Sequence, residues 1–186
     1  LDLSGPAVAI ESLVTGGAAA HAVAVGGTSP HLLIVEAHTG AELALVPLAE
    51  PPIGLAVSDP ETNPRLALLF AGPTPRIDIL EPDGTLRSSI PMDGSPRSIA
   101  VASTSLVVAG TGAAGGTIVQ IATGEAAAPE RVIDPDLEPV ALAEGTAFAA
   151  VLVRTPGDAA TTAVILDAAT GAEVARFAVR SSTSAA

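Results

Sequence analysis

A fourfold repeat is the feature that most constrains what this sequence can fold into. Four prolines, Pro6, Pro52, Pro96 and Pro139, lie 46, 44 and 43 residues apart, and each opens a short run of small apolar residues. A period of about 40 to 50 residues is typical of chains built from repeated supersecondary units that stack against one another. The repeats span approximately residues 6–48, 53–92, 96–133 and 138–179.

Each repeat continues with three further strand-like runs. The second runs start at His21, Arg65, Leu106 and Phe148, the third at Leu32, Ile77, Thr117 and Ala163, and the fourth at Glu42, Leu86, Glu130 and Glu173. Between the third and fourth runs stand the dipeptides Thr39-Gly40, Asp83-Gly84, Thr123-Gly124 and Thr170-Gly171. Because glycine supplies the positive φ of a tight hairpin, the pattern predicts one four-stranded antiparallel sheet per repeat.

The composition of the strands changes in a regular order within each repeat. The first runs are rich in alanine and other small residues, whereas the fourth runs carry more charge than the first. This order favours a β-propeller, where first strands converge at the axis and fourth strands form edges that charges protect from pairing. We predict an all-β chain, with residues 1–186 as one propeller domain of four four-stranded blades; a β-sandwich or a β-solenoid is the alternative.

Four blades are the lower limit for a closed propeller. Either the four blades close alone, or other polypeptide completes a larger ring, in which case a homodimer or a partner chain supplies the missing blades.

The overall composition excludes several classes of protein. With 48% hydrophobic and 15% charged residues, the chain is too apolar to remain disordered, and no apolar run approaches the 18 to 20 residues of a transmembrane helix. Twenty acidic residues against eight arginines give a net charge of −12, which disfavours nucleic acid as a partner. The absence of cysteine excludes disulfides and thiolate metal sites.

Few residues suggest chemistry. The histidines His21, His31 and His38 all fall in the first repeat, but their spacing matches no zinc motif. The acidic residues Asp134, Asp136 and Glu138 alternate as calcium ligands can, although the remaining positions of a calcium loop are missing, which favours a solvated loop. We find no catalytic or cofactor-binding motif and expect no cofactor.

Two stretches carry a family resemblance: residues 94–101, Gly-Ser-Pro-Arg-Ser-Ile-Ala-Val, and residues 164–174, which include Asp167 and Thr170-Gly171. They resemble YVTN- and NHL-type propeller repeats and, more loosely, quinoprotein-like repeats, over residues of about 6–179. The Tyr-Val-Thr-Asn strand itself is missing, and the chain has no tryptophan for a quinone-dependent docking motif. The resemblance implies a bacterial protein of the periplasm or cell surface.

Two functional hypotheses follow. The first is a non-catalytic interaction or scaffold subunit that binds other protein subunits through a propeller surface. The second is an enzyme or small-ligand-binding propeller, whose site in the axial channel would require converging polar side chains. The scarcity of reactive side chains favours the first.

Overall fold

Four antiparallel β-sheets make up the chain, and each sheet forms from consecutive strands. The computed structural model describes residues 5–102, 105–123, 126–127, 131–143, 145, 147–158 and 160–179. This described part contains no helix, and hence none that could span a membrane. Gly124 and Glu130, which the sequence analysis assigned to the third repeat, lie outside the described residues.

The strand order in each sheet follows the sequence. Sheet 1 contains β1 (Ala7–Thr15), β2 (Ala18–Val25), β3 (His31–Glu36) and β4 (Glu42–Pro47). Sheet 2 contains β5 (Gly54–Ser58), β6 (Arg65–Phe70), β7 (Arg76–Leu80) and β8 (Leu86–Pro91). Sheet 3 contains β9 (Ser95–Ala102), β10 (Ser105–Thr111) and β11 (Thr117–Thr123), and both β12 (Ala126–Ala127) and β13 (Arg131–Asp134) pair with β11. Sheet 4 contains β14 (Glu138–Ala143), β15 (Phe148–Arg154), β16 (Thr161–Asp167) and β17 (Glu173–Val179).

The glycines of the predicted third hairpins adopt left-handed backbone conformations. Gly40, Gly84 and Gly171 have φ values of 68°, 85° and 67°. The residue before each glycine fixes its turn: Thr39 Oγ1 accepts a hydrogen bond from the Ala41 amide at 3.1 Å, and Asp83 accepts one from the Thr85 amide at 2.9 Å. These hydrogen bonds account for the recurrence of Thr or Asp at the position before glycine.

Successive sheets pack face to face, and three apolar clusters fill the seams between them. Because side chains alternate across a strand, each sheet has a back face toward the preceding sheet and a front face toward the following one. Leu32 and Ile34 of sheet 1 pack with Leu66 and Leu68 of sheet 2 in the first seam. The second seam joins sheets 2 and 3, and the third joins sheets 3 and 4.

The four sheets form an open arc. The first strands contact one another in sequence, β1 with β5, β5 with β9 and β9 with β14, as strands around a common axis do. Among the described residues, no comparable packing joins sheet 1 to sheet 4. The back face of sheet 1 and the front face of sheet 4 are therefore left without a neighbouring sheet.

Candidate interaction surface

The back face of sheet 1 carries apolar side chains that reach solvent. Ile10, Val23, Leu33 and Leu45 lie in register across the four strands of this sheet. Val23 and Leu33, on the two middle strands, are buried in a cluster with Val25 and Val35. Ile10, on the innermost strand, is 60% exposed. Apolar residues in register across all strands of a sheet are typical of a face that another element covers.

A groove lies along the outer half of the same face. Its volume is about 700 Å³, and its lining includes His31, Leu33, Gly40, Leu45 and Pro47. The groove is bounded on one side by the Thr39-Gly40 hairpin turn. Its lining mixes apolar side chains with the polar residues Ser29, His31 and Glu42.

Two histidines near this face have hydrogen-bond partners within sheet 1 and its loops. Ser12 Oγ lies 3.2 Å from His21 Nδ1, and His31 Nδ1 donates a hydrogen bond to the Ser29 carbonyl at 2.9 Å. In the part of the chain that the structure describes, no three His, Asp or Glu side chains converge as metal ligands would. His21 and His31 thus lie beside the apolar back face of sheet 1.

The front face of sheet 4 is the second open surface. Ala141, Leu152, Ala163 and Phe177 lie in register across its four strands. The outermost strand, β17, is exposed at every position, and Phe177 is 54% exposed. An aromatic side chain exposed on an apolar face is a frequent anchor of protein interfaces.

Two of the three acidic residues weighed as calcium ligands form ion pairs with arginines, and the third, Asp136, donates a hydrogen bond from its backbone amide to Asp134 at 3.1 Å. Asp134 accepts a hydrogen bond from Arg176 at 2.6 Å, and Glu138 accepts one from Arg154 at 2.7 Å. Partial burial raises the pKa of Asp134, but hydrogen bonds from Arg176 and from the Asp136 and Leu137 amides outweigh it, so the pKa lies below its usual value. The sequence favoured a solvated loop here over calcium binding, which stays an untested hypothesis, and the structure shows an ion pair across the third seam.

Sequence reasoning missed the residues that define the two open faces. Ile10 and Phe177 stand in ordinary apolar runs, and nothing local distinguishes them from buried neighbours. A signal does exist: the first strands alternate small and large residues, and the alternation becomes informative once the sheets are aligned by their pairing.

Comparison with known proteins identifies the fold. No protein-family model and no curated protein sequence matches the chain. Among solved structures, hydrazine synthase of Kuenenia stuttgartiensis is similar, with a TM-score of 0.76 and 15% identity over 96% of this chain and 50% of that one. The Dos1 propeller has a TM-score of 0.65 and 11% identity over 94% and 47%. BBS1N in complex with ARL6DN has a TM-score of 0.67 and 12% identity over 96% and 56%.

These similarities confirm the predicted fold class: an all-β propeller arrangement of four four-stranded antiparallel blades. They support the propeller repeat class as a whole and do not single out YVTN- or NHL-type repeats. The chain spans only about half the length of the structures it resembles.

Proposed function

We propose that this chain is a non-catalytic interaction subunit that binds protein through the two open sheet faces of its propeller arc. The observation that carries the proposal is the contrast between open and filled seams. The back-face residues Leu55 and Val57 of sheet 2 are 3% and 9% exposed because sheet 1 covers them, whereas Ile10 on the back face of sheet 1 is 60% exposed.

The energetics favour a protein partner for these faces. Burying apolar surface contributes about 25 cal/mol per Å², so covering Ile10, Leu45 and Phe177 stabilises a complex. Contiguous exposed apolar patches commonly mark protein-binding sites. BBS1N, one of the similar structures, was solved in a complex with ARL6DN, which is an analogy from a shared fold.

Two finer assignments belong to the same proposal. The motifs at residues 94–101 and 164–174 support repeats of the YVTN or NHL type. A periplasmic or cell-surface location is in keeping with that resemblance and with the absence of lysine.

The alternative function, a ligand site in the axial channel, has less support from the described residues. The first strands there present mainly alanine, valine, leucine and isoleucine. A reaction would require polar groups that converge near the axis.

Site-specific photo-cross-linking tests the proposal. A benzoylphenylalanine placed at position 10 or position 177 should capture protein in the native host, whereas one at position 86 should not. Leu86 is a matched control because it is 57% exposed on the fourth strand of sheet 2, away from the open faces.

The captured protein is then purified and its binding measured. Ile10→Glu should weaken that binding at least about tenfold, because a carboxylate would be buried in an apolar seam. Equal capture from all three positions, or unchanged binding by Ile10→Glu, would refute the proposal.

A further inference from the structure

We propose, building on the interaction function above, that the partner is a second copy of this chain. The back face of sheet 1 in one copy packs on the front face of sheet 4 in the other. The same contact forms twice, and two four-bladed arcs close into an eight-bladed ring.

Side-chain size follows one pattern on the two faces that meet at each seam inside the chain. The two open faces show the same pattern as such a pair of faces. On the first strands, the front faces carry small residues and the back faces carry larger ones. The second half of β1 departs from this pattern, since Glu11 and Leu13 lie on its front face and Ser12 lies on its back face. The small residues are Ala9 in sheet 1, Gly54 and Ala56 in sheet 2, Ala100 and Ala102 in sheet 3, and Ala141 and Ala143 in sheet 4. The larger ones are Ile10, Leu55 and Val57, Ile99 and Val101, and Leu142.

Small residues on a front face let the next sheet approach closely. A Cβ atom added to Gly54 would lie 3.0 Å from Ile99 Cγ2, so the two first strands meet there across the second seam. Ala141 occupies the ladder position of Gly54, since each pairs with a leucine of its second strand. Ile10 occupies the position of Ile99, since each is the second residue after the bulge of its strand. The open faces thus offer the same contact, Ala141 against Ile10.

A second contact recurs at the outer half of the seams. In the first and third seams, the hairpin turn of the following sheet touches the fourth strand of the preceding one. Gly84 of sheet 2 lies against Val46 of sheet 1, and Thr170 and Gly171 of sheet 4 lie against Arg131 of sheet 3.

On the open front face of sheet 4, Phe177 holds the position that Val46 holds on the front face of sheet 1. Val46 ends the row that starts at Ala9, and Phe177 ends the row that starts at Ala141. In sheet 1, the turn that corresponds to the Gly84 turn of sheet 2 contains Gly40, which lines the groove of about 700 Å³. Phe177 of one copy would therefore enter the groove beside Gly40 of the other.

The size of the ring fits two copies. The four blades span about half of the propeller structures that the chain resembles, so a ring of that size needs about four more. Eight blades lie within the range of about four to eight that propellers use. A head-to-tail interface gives a closed ring when the rotation from one copy to the next brings the last copy back to the first. In this proposal, two copies complete the ring.

Disulfide trapping tests the inference directly, because the chain has no cysteine of its own. The double variant Ile10→Cys, Ala141→Cys should form a covalent dimer under mild oxidation, seen on a non-reducing gel. A mixture of the two single variants should also cross-link, whereas each single variant alone should give no covalent dimer. The pair Leu86→Cys, Ala141→Cys serves as the control and should give no dimer.

Native mass spectrometry of the unmodified chain accompanies the trapping, so that a poorly folded variant does not decide the result. We expect twice the 18.2 kDa of one chain. A monomer, or cross-linking of Ile10→Cys with itself, would overturn the head-to-tail ring. If those results came with capture of a different protein at positions 10 and 177, the interaction function would stand without the ring; if nothing were captured, both would fall.

Discussion

At Gly84, two independent features exclude any side chain. The backbone has a φ of 85°, which L residues rarely adopt, and a Cβ atom would collide with Val46 of the preceding sheet. Gly157 isolates the first feature, because its φ is 82° and nothing lies within 4 Å of the position of its Cβ. Comparing substitutions at Gly84 and Gly157 separates the loss of stability due to the turn conformation from the loss due to the contact in the seam.

Replacing Gly84 with alanine should lower the free energy of unfolding by about 2 to 4 kcal/mol, since it combines left-handed strain with a clash. Gly157→Ala should cost about 1 to 2 kcal/mol, from the backbone term alone. Urea denaturation of both variants measures the difference. Equal losses would show that the turn of sheet 2 does not press on sheet 1.

At the level of elements, the strands and hairpins could be predicted from the sequence because every repeat contains its own turn signals. The division of the fourth strand in sheet 3 into β12 and β13 was not predicted, although Pro129, which cannot donate a ladder hydrogen bond, stands between the two segments in the sequence. The pairing of Asp134 with Arg176 was also out of reach, because it joins residues 42 positions apart in two different sheets. Such contacts depend on how sheets stack, which local periodicity does not encode.

The link between β13 and β17 gives an element-scale prediction. Arg176→Gln should lower the free energy of unfolding at pH 7 by about 1 kcal/mol, because a charge-assisted contact across the third seam is lost. Arg154→Gln, which breaks a more exposed pair within sheet 4, should cost less. Thermal unfolding of the two variants compares them.

The effect of Arg176→Gln should depend on pH. The pKa of Asp134 is lowered in the folded chain, so its contribution is fully present above the unfolded pKa of about 3.9 and is lost as the pH falls through the folded-state pKa. The difference between the wild type and the variant should therefore shrink below pH 4. A difference that stays constant from pH 7 to pH 3 would mean that the ion pair does not stabilise the fold.

For the whole molecule, the decisive property is that the arc has two open faces of complementary shape. The repeats predicted the number of sheets, but closure depends on the angle between blades, which the sequence does not state. The open faces became recognisable only when the three filled seams showed which residues a neighbouring sheet covers. The proposed interaction function and the proposed ring both rest on that comparison.

Sedimentation equilibrium of the unmodified chain beside Phe177→Glu and Leu86→Glu tests the use of the open faces most directly. The account predicts a dimer for the wild type and for Leu86→Glu, and at least about a tenfold weaker dimer for Phe177→Glu, because a charge would enter the groove beside Gly40. The same mass for all three proteins would contradict it.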